Sequence, residues 1–412
     1  MRAHCLGRHG EAVARDPVGR GQELGVRLSV VVVVYDMPYA APRSLFALSD
    51  AYQRDLAADE YEVIVVDNGS RQPLSAETIR ALPDNFRCLS LAQPQPSPAA
   101  AANLGLQLAR GAVVGLILDG ARLATARLLS LALRAAISHP RAVVTTVGWL
   151  LGYGQADRFH TADDSEAAAH TERVLHAIDW PRQAERLLEA ARLDGSNSWF
   201  GPGFESPALF MPRGAWHELG GLDERFDEAG GGFVALDLYA RSLALPGCAP
   251  MLLLGEGTVH QPHGGISTDA PTPALIARFT KWREHYIALA GHDLQLSTPA
   301  FTFFGALPEA WRAQLVAWAL RETFRDVPEL NDIAVALDAA LAADPCPQGT
   351  VWTELNATRD RLLEARRAAA ARAADAAGLT FRLQALEQSW SWRITAPLRW
   401  LAARLRSNPS SR

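Results

Sequence analysis

"LSVVVVVY" (residues 28–35) runs through five consecutive valines without a charged side chain. β-branched side chains suit the pleated backbone, and a strand that is apolar on successive residues, not on alternate ones, must be covered on both faces, as in a parallel sheet. "YEVIVVDNGS" (61–70) is a second such strand. Between them, "RSLFALSDAYQRDLAA" (43–58) sets Leu45, Leu48, Ala51, Tyr52 and Leu56 at helical spacing, which predicts a βαβ unit. "FRCLSL" (86–91), the helix-like "AAAANLGLQLARG" (99–111) and "AVVGLILD" (112–119) repeat the arrangement. The fold class expected is α/β, with a doubly wound, mostly parallel central sheet. In such sheets ligands lie beyond the carboxyl ends of the strands. Asp67 closes the second strand and Asp119 the fourth, each followed by a glycine-containing turn, so both belong to that rim.

The rest of the chain frames this domain. Of 412 residues, 49% are hydrophobic and 21% charged, with a net charge of −5, which fits a globular enzyme with a large core. Nothing in that charge favours nucleic acid as a partner. The four cysteines, Cys5, Cys88, Cys248 and Cys346, have no close pairing, which argues against a zinc cage or a disulfide framework and for a reducing cytoplasm. Residues 1–27 read as a loosely packed leader, 28–271 as the main domain, 272–350 as a helical extension and 351–412 as a separate helical tail. The stretch from 153 to 193, polar and acidic and then helical around "AERLLEAARL" (184–193), reads as an insertion or a lid-forming region. No window reaches the ~18 apolar residues of a membrane span. In the tail, leucines at heptad-like spacing (Leu355, Leu362, Leu379, Leu383, Leu386) predict a helical hairpin or short coiled coil. "SWSWRITAPLRWLAARLRS" (389–407) mixes tryptophan and arginine, a composition suited to the inner face of the cell membrane or to docking and oligomerisation.

Taken in order, "LSVVVVVYDMP", "YEVIVVDNGS", "SPAAAANLGLQLARG", "LILDG" and "ELGGLDERFDEAGGGFVALDLYAR" resemble family 2 glycosyltransferases of the GT-A fold, over roughly residues 28–265. The tail is similar to the "SWR-T-PLR" endings of some bacterial surface-polysaccharide glycosyltransferases. The resemblance implies inverting transfer of a sugar from a nucleotide-diphosphate donor to an acceptor hydroxyl on a carbohydrate, lipid-linked or protein acceptor, with a divalent metal, Mn2+ or Mg2+. It implies a place in cell-envelope polysaccharide or glycoconjugate synthesis.

Carried over residue by residue, the resemblance puts Tyr35, Asp36 and Asp67 against the nucleoside, where a carboxylate accepts hydrogen bonds from an imide N–H or ribose hydroxyls. Asp67 is equally suited to capping its own turn. Asn103 stands where the family has a polar residue facing the donor, although turn packing also accounts for it. The family's Asp-x-Asp metal motif here reads Asp119, Gly120, Ala121, followed by Arg122, so the second acid is missing. One carboxylate with phosphate oxygens and waters can hold a hard cation, and an imidazole suits Mn2+. His260 best matches the family's histidine near the metal, with His263 next. His263, three residues on, is placed on acceptor or phosphate, as are Glu205 and Trp199 on the acceptor side. Arg122 suits the diphosphate, because a guanidinium fork matches phosphate oxygens.

The catalytic base is displaced, since the family's acidic pair falls at Val234 and Ala235. Asp237 is the first candidate, with Glu228, Asp227 and Glu205 behind it. Asp237 also has the i, i+4 spacing of a structural pair with Arg241. Trp199, Phe200 and Phe204 offer aromatic faces for an acceptor sugar or for core packing. The missing acids leave a second reading, a non-catalytic GT-A-like scaffold in a biosynthetic complex. Nucleotidyl transfer would require a basic glycine-rich loop after the first strand, which "VYDMPYAAPR" lacks.

Overall fold

The computed structural model describes residues 25–93, 95–151, 164–193, 205–263, 272–295 and 299–307. The tail from 351, the aromatics Trp199, Phe200 and Phe204, and most of the leader lie outside them. In chain order the strands are β1 (Leu28–Val34), β2 (Tyr61–Asp67), β3 (Phe86–Ser90), β4 (Val113–Ile117), β5 (Arg122–Ala124), β6 (Ala142–Thr145), β7 (Gly148–Leu151), β8 (Ala191–Leu193), β9 (Leu209–Pro212), β10 (Ala249–Leu254), β11 (Thr258–His260) and β12 (Thr302–Gly305). The α-helices are α1 (Ala40–Phe46), α2 (Ala76–Ala81), α3 (Ala99–Leu108), α4 (Leu128–Ile137), α5 (Asp164–Ala177), α6 (Arg213–Leu219), α7 (Val234–Leu243) and α8 (Thr272–Ala290).

Eight strands form the central sheet in the order β12-β10-β6-β9-β4-β1-β2-β3. Every described pairing in it is parallel except those of β9, which runs antiparallel to both β4 and β6. The expected α/β class with a mostly parallel sheet is what the chain forms. Every residue of β1 is buried, and each of its five valines contributes about 1.5–3 kcal/mol by leaving water. Helix α3 lies close on that strand, because a Cβ at Gly105 would stand 2.3 Å from Val31 Cγ1. At the amino ends of the strands, the buried Glu62 accepts from Ser29 Oγ (2.7 Å) and the Arg110 backbone N–H (2.9 Å) and pairs with Arg87 (2.8 Å), so this charge is not stranded in the core.

Three local elements differ from the sequence expectation. The helix predicted over 43–58 stops at Phe46, because Ser49 Oγ donates to the Phe46 carbonyl (2.7 Å) and Gln53 Nε2 to that of Ala47 (2.7 Å), so side chains take the acceptors a continuing helix would use. The helix read around "AERLLEAARL" is a 3₁₀ segment, Ala184–Ala190, running into β8. Strand β12 pairs in parallel with β10, so the sheet continues to Gly305, and the compact unit that contains it ends at Leu307.

A second, four-stranded sheet has the order β5-β11-β7-β8. It matters most for function, because β5 and β11 pair antiparallel with Arg122 opposite His260 and Leu123 opposite Val259.

Candidate active site

Strand β1 lies between β2 and β4, so Tyr35, Asp36, Asp67 and Asp119 emerge at one carboxyl rim. Tyr35 is exposed there. Asp36 has a left-handed backbone (φ 49°), and its N–H donates to Ser70 Oγ (2.8 Å). Its carboxylate accepts from the backbone N–H groups of Arg71 (2.7 Å) and Gln72 (3.1 Å) and from Arg71 Nε (2.7 Å). Burial opposes the charge on Asp36, but Arg71 and the two backbone N–H groups outweigh it and hold the carboxyl below its ordinary value. Asp67, itself buried, accepts from the Ser70 N–H (2.7 Å) and so does cap its turn. Both acids brace the 70–72 turn, with Tyr35 beside them.

The small sheet builds the other half of the rim. Gly120 lets the chain pass under the end of β1, since a Cβ there would meet Val34 Cγ2 at 3.0 Å and the Val33 carbonyl at 3.2 Å. Beyond it, Asp119 Oδ1 accepts from the Ala121 N–H (2.9 Å), and the Gln261 N–H donates to the Ala121 carbonyl (2.9 Å), which lays the "HQPH" loop against Asp119. His260 Nε2 stands 2.8 Å from Asp119 Oδ2, His263 Nε2 3.7 Å from Oδ1, and the two Nε2 atoms 2.9 Å apart.

Ligand atoms about 2.1 Å from a cation lie about 3.0 Å apart in an octahedron and about 3.4 Å apart in a tetrahedron. The three observed separations span those edges, and among the described residues this carboxylate–imidazole set is the cluster that could hold a metal ion. Burial works against the charge on Asp119, yet the two imidazoles hold its carboxyl well below the ordinary range. Burial also pushes His260 below its ordinary value, against the pull of Asp119, which favours the neutral form that ligates metals. Arg122 Nε is 3.5 Å from Asp119 Oδ2, and Arg122 Nη1 is buried with no hydrogen-bond partner among the described residues. A guanidinium nitrogen left so is poised for an anionic oxygen.

The remaining predicted residues are placed elsewhere. Asn103 clamps the glycine loop after α6: its amide donates to the Leu222 carbonyl (2.9 Å) and to Glu224 Oε1 (2.8 Å), and accepts from the Leu222 N–H (2.9 Å). That loop borders a separate cleft of ≈ 690 Å³ between α3 and α6. Asp237 is buried and accepts from Arg241 Nε (2.6 Å), while Arg241 also donates to the carbonyls of Leu219 and Gly221 (3.0 Å each). Burial raises the Asp237 carboxyl above its ordinary value despite Arg241. Glu228 sits between Lys281 (3.7 Å) and His285 (3.6 Å) of α8. Its loop reaches the rim, because the Gly230 N–H donates to the Pro96 carbonyl (3.0 Å) and Asn68 Nδ2 donates to the carbonyls of Gln95 (2.9 Å) and Ser97 (3.3 Å). Glu205 is half-buried ahead of β9. Sequence reasoning missed Gln261, whose only signal was a polar side chain between two histidines.

Residues 29–161 match the sequence model of glycosyl transferase family 2. No curated protein matches the chain. Among solved structures, S. aureus TarS is similar at 15% identity and a TM-score of 0.36, over 77% of this chain and 53% of that one, so the alignment spans about half the length of TarS. A shorter form, TarS 1-349, aligns at 14% identity and 0.35 over 78% and 88%. The Pyrobaculum calidifontis mannosyltransferase PcManGT, solved in complex with GDP-Man and Mn2+, aligns at 18% identity and 0.34 over 93% and 87%. Among the described residues no helix is long and apolar enough to cross a membrane. The family match over β1 to β7 identifies residues 29–161 as a glycosyl transferase family 2 segment, set in a mostly parallel α/β sheet that carries an Asp/His cluster at its carboxyl rim.

Proposed function

We propose that the protein transfers a sugar, with inversion, from a nucleotide-diphosphate donor to an acceptor hydroxyl in cell-envelope polysaccharide or glycoconjugate synthesis. The observation that carries this reading is the convergence of Asp119, His260 and His263 beside Arg122 Nη1, which has no partner among the described residues. Asp119, His260 and His263 would hold a divalent cation, and two imidazoles favour Mn2+ over Mg2+. Such a cation, when bound, neutralises charge on the departing nucleoside diphosphate. The chain's own groups do the rest. Tyr35, Asp36 and Asp67 receive the nucleoside, and Arg122 Nη1 takes a phosphate oxygen. Glu205 is a proposed acceptor contact, as is Trp199, which lies outside the described residues.

In the transfer, the acceptor oxygen bonds to the anomeric carbon as the bond to the diphosphate breaks, and a carboxylate takes the acceptor's proton. Glu228 suits that role better than Asp237. Its loop is tied to the rim through Pro96, whereas Asp237 is bound to Arg241 inside α7. The composition of residues 389–407 supports a cytoplasmic enzyme whose tail contacts the membrane surface or a partner helix.

The test is a panel of UDP-, GDP- and dTDP-sugars with and without Mn2+. The expected result is a thermal shift with one donor and slow release of its nucleoside diphosphate. No shift with any donor favours the non-catalytic scaffold, the reading for which Ala121 and Ala235 speak.

A further inference from the structure

The geometry points to Arg43 and Gln261 as positioning residues that couple helix α5 to the Asp119–His260–His263 cluster, so that the hold of α5 on the domain sets the cluster's affinity for a divalent cation. The inference rests on reading that cluster as the cation site. Gln261 lies between the two histidines in sequence, and its side chain is fully buried. Its Nε2 faces the Ala40 carbonyl (3.1 Å), Ser44 Oγ (3.0 Å) and the Ala121 carbonyl (3.3 Å), while its Oε1 accepts from Arg43 Nε (2.7 Å). One amide therefore joins α1, the Asp119 turn and the histidine loop. Pro262 follows it, and its ring limits the freedom of the backbone that leads into His263.

Arg43 extends the chain of contacts outward. Its Nη1 donates to Glu172 Oε1 on α5, so a single planar guanidinium spans from the buried amide to the insertion. Ala168, one helical turn before Glu172, faces the hollow that Asp36, Tyr39, Arg43 and His263 also line. Helix α5 thus stands where the expected nucleoside side, at Asp36, meets the expected cation side, at His263. Arg43 is largely buried and Glu172 largely exposed, so the outer end of the relay can release while the inner end stays in place.

Groups that orient ligands without touching the cation typically change its affinity about 10–100-fold when removed. The experiment uses the full chain and Mn2+ alone, with free Mn2+ read by its EPR signal and the melting temperature of the cation-free protein recorded beside it. Gln261→Met keeps the length and loses the amide, and the Mn2+ Kd is expected to rise about tenfold or more. Glu172→Ala is expected to raise Kd about threefold with a melting temperature almost unchanged, because an exposed ion pair adds little stability. Arg43→Lys should resemble Glu172→Ala, since an ammonium cannot bridge both partners. Arg43→Ala combined with Glu172→Ala should weaken binding no further than Arg43→Ala alone.

If Gln261→Met does not fold, Arg43→Lys and Glu172→Ala decide the matter. A wild-type chain that binds Mn2+ while these variants keep its Kd overturns the coupling and leaves the cation site standing, with Arg43 and Gln261 reduced to structural contacts. A wild-type chain that binds no Mn2+ overturns both.

Discussion

Replacing Asp119 by asparagine separates its charge from its shape. The asparagine Oδ1 can still accept from the Ala121 N–H, now at 2.9 Å, so the turn that carries the residue persists. Lost are the negative charge and the 2.8 Å contact from His260 in its present form. Removing one member of a buried ion pair is costly when it strands the other charge; burial keeps His260 below its ordinary value, hence neutral near pH 7.5, but Arg122, 3.5 Å from Asp119 and always charged, loses its counter-charge. The cost in stability is then about that of a hydrogen bond to a charged group, 1.5–3 kcal/mol, a fall of roughly 3–10 °C in melting temperature. Function should suffer far more. The cluster loses its only carboxylate, which predicts a Mn2+ affinity at least about 10²-fold weaker. Losing the hold on a cation that would neutralise the departing diphosphate is expected to slow turnover by about 10²–10³, or roughly 2.7–4 kcal/mol. The assay is release of nucleoside diphosphate at saturating donor, with calorimetric Mn2+ titration on the same preparation. Turnover within threefold of wild type and unaltered Mn2+ binding would refute the reasoning.

Three further predictions follow from the same geometry. Burial depresses His260 below 6.5 and the imidazoles hold Asp119 well below 3.8, so in both windows the unfolded chain binds more protons than the folded one. Stability of the cation-free protein should be full above about pH 6.5, fall as the pH drops below it, and fall again below about pH 4; a melting curve flat from roughly pH 7 to 5 would contradict this. Asn103→Ala should lower stability by about 2–3 kcal/mol, because the Leu222 N–H and carbonyl both lose their partner, while the KM for donor stays within about twofold. A large rise in donor KM without loss of stability would instead assign Asn103 to the donor. Glu228→Gln should cut kcat by about 10²–10⁴ with little effect on melting, and Asp237→Asn should mainly destabilise by weakening its hold on Arg241. The reverse pattern would make Asp237 the proton acceptor.

Much of this architecture is legible in the sequence, and the gaps have physical causes. Strands β1, β2 and β4 are buried on both faces, so apart from Ser29, Glu62 and Asp67 their residues are apolar or glycine and their pattern is strong. Strands β5, β8 and β11 have three residues each, too short for any periodicity, yet β5 and β11 bring Arg122 opposite His260. Asp119 and His260, with His263 as the next candidate, are readable through the family resemblance, whereas the bonds that the buried Gln261 makes to Ala40, Ser44 and Ala121 join residues distant in sequence and are not encoded locally. The opposite holds for Asn103 and Asp237. Their types and positions match the family pattern, while their side chains are engaged by partners 119 and four residues away.

The central claim is that one carboxylate and two imidazoles stand in for the usual acid pair beneath the diphosphate. Pulsed EPR of the full chain with Mn2+ and a nucleoside diphosphate tests it most directly. The account predicts nitrogen couplings from two imidazoles together with phosphorus coupling, one nitrogen vanishing in His260→Ala and the other in His263→Ala. Bound Mn2+ that shows only water and phosphate couplings, unchanged in both variants, would contradict it.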